Sequence, residues 1–326
     1  MKDENEVFEG RDVMLRKMPI TLVLICWSCG VGNAGDESPL RAPDVKEISV
    51  KTLGGRQFWG DVHFFHEYSI QQNVLTGHYR LLDGNDVRLT WGSLQECRDK
   101  LEEIRKAKKL PPMSGKAVVL IHGIIRSSKS FGAMEDRLRK EGYHVFGFDY
   151  PSTRVSISES AEYLKMCLDS LSGIEEINFV VHSMGGLVLR CYLKDNEKPD
   201  PRIRRMVMIG VPNQGAGMAD QVKDLGAFKF LFGPAGQQLV TDTEGLISSL
   251  PIPKFEFAIL SGARGTEKGY NPLIPGDDDG TVELERTKLP GAADFVTIPI
   301  LHSFLMKDSR GIDYTVRFLK TGAFRE

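Results

Sequence analysis

From residue 116 onward the chain predicts an α/β fold with a mostly parallel central sheet flanked by helices. Two observations carry this. Short apolar runs rich in β-branched residues recur at 116–122, 143–149, 177–182, 203–209, 255–260 and 294–298. Between them, 128–141, 158–171, 184–195 and 311–320 show apolar residues at three- and four-residue spacing, the period of a helix with one buried face. Strands that are apolar throughout are buried on both faces, which a parallel sheet covered by crossover helices provides. No internal repeat interrupts the alternation.

The flanking segments read differently. Residues 35–112 hold aromatic and β-branched stretches such as QFWGDVHFFHEYSI, then a charged helical run closed by Pro111-Pro112. We read these as antiparallel strands that extend an edge of the sheet, followed by a helix. The catalytic-size body is then 113–326, interrupted at 213–253 by an insertion rich in Gly, Phe and Leu that has the place of a small cap. Residues 1–34 read as a leader. An acidic stretch precedes Met14, Arg16 and Lys17 form a basic start, Ile20 to Trp27 an apolar run, and Gly32-Asn33-Ala34 a small-residue cleavage site. The expectation is a secreted or periplasmic protein that starts at Met14 and matures at Gly35, with an N-terminal membrane anchor as the alternative.

Composition narrows the partners. With 42 basic and 44 acidic side chains the formal charge is -2, so no electrostatic footprint for nucleic acid is present. The expected partner is a small neutral molecule. Cys97, Cys167 and Cys191 remain after the leader, an odd number that reads as buried thiols, not a disulfide framework. Gly30 to Gly35 match the spacing of a dinucleotide fingerprint but no helix follows. His63 and His66 sit three apart in a strand-like segment, where that spacing sends them to opposite faces. Neither pattern argues for a cofactor or a metal, and none is expected.

Chemistry concentrates at strand ends. Ser183 lies where the run EINFVVHS meets the helical MGGLVLRCYL, a strand-to-helix turn that can expose a hydroxyl above a sheet. A serine needs a base and an orienting acid. Asp277, Asp278 and Asp279 follow the strand at 255–260, and His302, the only histidine after Ser183, follows the last strand. Earlier, His122-Gly123-Ile124 follows a VVLI strand, where a glycine lets the backbone approach a substrate.

Val181-His182-Ser183-Met184-Gly185 resembles the nucleophile elbow of bacterial lipases and esterases of the α/β-hydrolase superfamily, with Val181 where that family carries glycine. Asp279-Gly280-Thr281-Val282 resembles the family's acid loop, and His122-Gly123-Ile124 its oxyanion loop. Val211-Pro212-Asn213 resembles a pocket-shaping segment. The resemblance spans about 116–322 and implies an α/β-hydrolase fold with Ser183 as nucleophile, Asp279 as acid and His302 as base. It also implies the N–H groups of Ile124 and Met184 as oxyanion donors. The implied activity is hydrolysis of a carboxylic ester without cofactor or metal. An acyltransferase of the same fold and a catalytically inactive binding protein are the alternatives. Leu225, Phe228, Phe230, Leu231 and Phe232 in the insertion suggest a lipid-like acyl group and transient contact with a lipid interface.

Overall fold

A computed structural model describes residues 55–325 except 197, 199, 216–232, 237 and 240–244. The expected leader, the Gly30–Gly35 pattern and the five apolar residues of the cap lie outside the described residues.

Four short strands open the described chain: β1 (Trp59–Phe65), β2 (Tyr68–Asn73), β3 (Tyr79–Leu82) and β4 (Arg88–Gly92), then α1 (Leu94–Ala107). They pair antiparallel in sequence order as a sheet of their own. This corrects the expectation that 35–112 lengthens an edge of the main sheet. Strands joined by connections as short as His66-Glu67 pair with each other at little loop-closure cost, and a distant edge cannot compete. Helix α1 begins with a capping box between Ser93 and Glu96 and covers one face of the sheet. There Val62, Tyr68, Ile70, Leu81, Cys97 and Leu101 form a separate apolar cluster.

The main body follows: β5 (Gly115–Ile121), α2 (Gly132–Lys140), β6 (His144–Phe148), α3 (Ile157–Ser170), β7 (Ile174–His182), α4 (Met184–Asp195), β8 (Ile203–Ile209), β9 (Glu256–Gly262), the single turn α5 (Leu284–Thr287), β10 (Asp294–Ile298) and α6 (Ser309–Thr321). Every strand read from sequence is present, with ends shifted by a few residues. The six strands lie in the order β6-β5-β7-β8-β9-β10, all parallel. Helices cover both faces. Val119 and Ile121 of β5 pack with Leu164 of α3 and Leu187 of α4, while Val118 and Leu120 pack with Met134 of α2 and Phe318 of α6. That two-sided burial is why β5 has no alternation to read. Cys97, Cys167 and Cys191 are all free and buried, as expected.

Strand order places the site. From β5 the chain goes outward to β6 and returns past β5 to β7, so the loops after β5 and β7 diverge and leave a crevice at the carboxyl ends of the strands. The ends of the 213–253 insertion are pinned to α4. Arg190 of α4, buried at 3% exposure, donates to Asn213 O and Oδ1 and to Leu250 O and Pro251 O. Burial lowers its pKa to about 10, yet every bond it makes is to a neutral acceptor.

Helix α4 must lie close to the sheet for its first residue to reach the crevice. A Cβ added at Gly186 would stand 2.5 and 2.6 Å from the two methyls of Val211. Gly186→Ala should therefore destabilise the protein by about 1–3 kcal/mol in urea unfolding, the range for overpacking a filled core. Combining it with Val211→Ala should recover part of that loss. Additive losses in the double variant would contradict the contact.

Candidate active site

Ser183 occupies the one-residue turn between β7 and α4 at φ 54° and ψ -130°. A positive φ is uncommon outside glycine and stores about 1–3 kcal/mol of strain. Surrounding bonds hold it there: its N–H donates to Ile209 O at 2.9 Å and its carbonyl accepts from Gly186 N–H at 3.0 Å. Close backbone approach completes the turn. A Cβ at Gly123 would fall 2.9 Å from Ser183 Cβ, and one at Gly185 would fall 2.4 Å from Ile121 O. Val181, at the position where the resemblance expects glycine, is fully buried in the core. The turn closes on Gly123 and Gly185 instead.

His302 and Asp279 meet on the neighbouring loops. His302 Nδ1 donates to Asp279 Oδ2 at 2.6 Å, because a carboxylate oxygen beside the ring nitrogen accepts. The backbone repeats the link, with His302 N–H on Asp279 O at 2.8 Å. Asp279 Oδ1 accepts from the N–H groups of Thr281 and Val282 at 3.0 and 2.8 Å, so both carboxylate oxygens are engaged in a fully buried group. In the neutral ring this bond selects the tautomer with its proton on Nδ1 and a lone pair on Nε2. Among the described residues no hydrogen bond joins Ser183 Oγ to the His302 ring, a geometry common before substrate arrives.

The other two aspartates build the loop. Asp277 accepts from the N–H groups of Arg264, Gly265 and Asp278. Buried Asp278, whose pKa is raised by desolvation, accepts from those of Asn271 and Gly280. Neither touches His302, which separates the three carboxylates that sequence left competing.

Ile124 follows Gly123, whose backbone lies against Ser183, and Met184 is the first residue of α4. The first N–H groups of a helix have no intrahelical acceptor and face outward along its axis. Both expected oxyanion donors therefore sit beside the serine.

Sequence reading passed over several residues that surround this group. His182 is fully buried, its Nε2 donating to His302 O at 3.1 Å with the rings 4.7 Å apart. Its pKa lies well below the usual histidine value, first because of burial and then because of His302 and Arg126. Arg126, on the loop beyond Ile124, donates through Nη2 to Ser303 Oγ at 2.7 Å and so bridges the loops that carry Ile124 and His302. His63 and His66 form no part of the site. His63 lies on β1 with its pKa lowered to about 4 by burial and Arg98, and His66 Nε2 donates to Pro111 O at 2.8 Å. A cavity of about 650 Å³ at the opposite strand ends is lined by Lys116, Glu141, Glu176, Arg205 and Lys320. Its charges are paired, Lys116 with Glu176 and Lys320 with Glu141, and none faces the serine.

A six-stranded parallel sheet in this order, a strained serine between the third strand in chain order and its helix, and an Asp–His pair on the later loops occur together. The fold is that of an α/β-hydrolase. A family described as a domain of unknown function (DUF7379) matches residues 85–228, and no curated protein matches the chain. Among solved structures the chain is similar to a mature lipase of Bacillus licheniformis at 19% identity, covering 64% of this chain and 91% of that one with a TM-score of 0.48. It is similar to a thermophilic esterase of Thermogutta terrifontis at 15% identity, covering 64% and 90% with a TM-score of 0.44. A bromoperoxidase of Bacillus anthracis gives 17% identity, 64% and 92% coverage and a TM-score of 0.47. The fold assignment rests on strand order and not on these likenesses.

The buried His182 gives this fold a pH signature. In the unfolded chain the ring takes a proton as pH falls below about 6.5, while the folded ring with its depressed pKa does not. The unfolded state then holds more protons, so the contribution of His182 is full above about pH 6.5 and is lost as pH falls toward the folded value. His182→Gln keeps a donor near the Nε2 position without titrating. The stability advantage of wild type over this variant should shrink between pH 7.5 and 5 in urea unfolding. An advantage that stays constant over that range would contradict the assignment.

Proposed function

We propose that the protein is a serine carboxylic-ester hydrolase that works through a covalent acyl-enzyme. The observation that carries the reading is the Asp279–His302 hydrogen bond at 2.6 Å, which selects the tautomer whose Nε2 can take a proton, near a serine held in a strained turn. Ser183 Oγ attacks the ester carbonyl carbon while His302 Nε2 takes the hydroxyl proton. The oxyanion that forms accepts from the N–H groups of Ile124 and Met184. Collapse of the intermediate breaks the ester C–O bond and His302 returns the proton to the departing alkoxide. Water then attacks the acyl-serine by the same route, with His302 again as base, and releases the acid. Asp279 fixes the tautomer and stabilises the transient imidazolium.

An apolar ester fits the rim. Ile125, Leu273, Leu301 and Phe304, all neighbours of the site loops in sequence, are between 40% and 46% exposed. Large apolar side chains left in water around a crevice support a lipid-like substrate. Export through the 1–34 leader belongs to the same proposal and is supported by the basic-then-apolar pattern that starts at Met14.

The test is steady-state hydrolysis of p-nitrophenyl esters of increasing chain length. Ser183→Ala should lower kcat on the order of 10⁴-fold or more while the circular dichroism spectrum is retained, and Asp279→Asn should lower it by about 10⁴-fold through loss of the tautomer. Undiminished turnover by folded Ser183→Ala would refute the reading.

A further inference from the structure

Behind the oxyanion loop lies a buried polar assembly that the mechanism above does not use. His122 is 1% exposed, and its Nδ1 stands 2.7 Å from Gly123 O. A carbonyl oxygen only accepts, so Nδ1 carries the proton and donates. The ring stacks on Tyr150 at 4.4 Å with the planes 14° apart, and the Tyr150 hydroxyl donates to the backbone carbonyl of His122 at 2.6 Å. Asp149 Oδ1 lies 3.6 Å from Nε2, beyond hydrogen-bond reach. Asp149 is fixed in turn. Its carboxylate accepts from Ser128 N–H at 2.6 Å and Ser128 Oγ at 3.1 Å. Its N–H donates to Asp61 Oδ2 at 2.6 Å, and Asp61 Oδ1 accepts from Gln71 Nε2 at 2.8 Å. Asp61 and Gln71 belong to β1 and β2, so the N-terminal sheet backs the arrangement.

The consequence follows from the planarity of the peptide bond. Gly123 O and Ile124 N–H belong to the same trans peptide group and point in opposite directions. Whatever holds the carbonyl sets the direction of the N–H. Arg126 N–H also reaches Gly123 O, at a longer 3.3 Å, which leaves His122 Nδ1 as the shorter of the two donors.

We propose that His122 is a positioning residue for the oxyanion hole: by donating to Gly123 O it turns the Gly123–Ile124 peptide so that the Ile124 N–H faces the reacting carbonyl beside Ser183. This rests on the reading of Ser183 as nucleophile and adds a residue that touches neither substrate nor Ser183. It predicts a defect confined to the transition state, because the oxyanion exists only there.

The experiment compares three substitutions on one short-chain p-nitrophenyl ester. His122→Asn keeps an N–H donor where Nδ1 stands, His122→Gln moves the donor to the position of Nε2, and His122→Leu removes it. His122→Gln and His122→Leu should lose kcat on the order of 10²-fold with KM little changed, as when one oxyanion donor is withdrawn. His122→Asn should recover most of the loss. Circular dichroism and urea unfolding check each fold. Should the first three fail to fold, Tyr150→Phe deletes the hydroxyl that holds His122 O and should lower kcat with KM unchanged. A folded His122→Gln with wild-type kcat overturns the proposal, as does an Asn variant as slow as Leu, or a wild-type kcat in Tyr150→Phe when that variant decides. Absence of any ester turnover by the wild type strikes instead at the Ser183 reading on which the proposal rests.

Discussion

Ser183 is held at φ 54° between the buried end of β7 and a helix whose first turn presses on the sheet, and the rest of the site is arranged around that strain. A non-glycine residue remains in such a conformation only where its surroundings over-determine it. Here β7 is flanked by β5 and β8, Ser183 N–H is tied to Ile209 at the end of β8, and α4 cannot withdraw because Gly185 and Gly186 pack on Ile121 O and Val211. The apolar core on both faces of the sheet thus supplies the rigidity that a single turn could not. The hydroxyl then stands above the strand ends, at the point where strand order diverges.

The remaining groups are brought in by close approach rather than by long side chains. Gly123 lets the loop after β5 lie against Ser183. Gly262, at the end of β9, leaves room for both sides of the Asp279–His302 pair: a Cβ there would stand 2.8 Å from Asp279 Cβ and 2.5 Å from Ile300 O. The His302 backbone is further fixed by its neighbour, since His182 donates to the His302 carbonyl. Each loop is therefore anchored to its own strand end and to the next loop. Arg126, reaching from the loop after β5 to Ser303, closes the circuit.

Much of this was legible in sequence for physical reasons. Strand segments buried on both faces are apolar, so β5 and the second halves of β7 and β8 stand out, and a polar residue that ends such a run, as at Ser183, stands out against it. Short apolar runs identify strands but not partners. For that reason the pattern of β1 to β4 is equally compatible with an extension of the main sheet, whereas these strands form a separate one. Long-range polar contacts were also hidden. Nothing local marks Asp61 as the partner of Asp149, 88 residues away, or Arg190 as the clasp on Asn213 and Leu250. Val181 shows the converse, a residue that departs from the expected pattern while neighbouring glycines provide the space.

The most direct measurement of the central claim is the site of covalent capture by a fluorophosphonate, followed by peptide mass spectrometry. An unactivated serine does not react with such a reagent, whereas one beside a basic histidine and two oxyanion donors does. The account predicts one phosphonyl group per chain, located on Ser183, and loss of labelling in a folded His302→Ala variant. A folded protein that stays unlabelled, or that carries the adduct on a different serine, would contradict it.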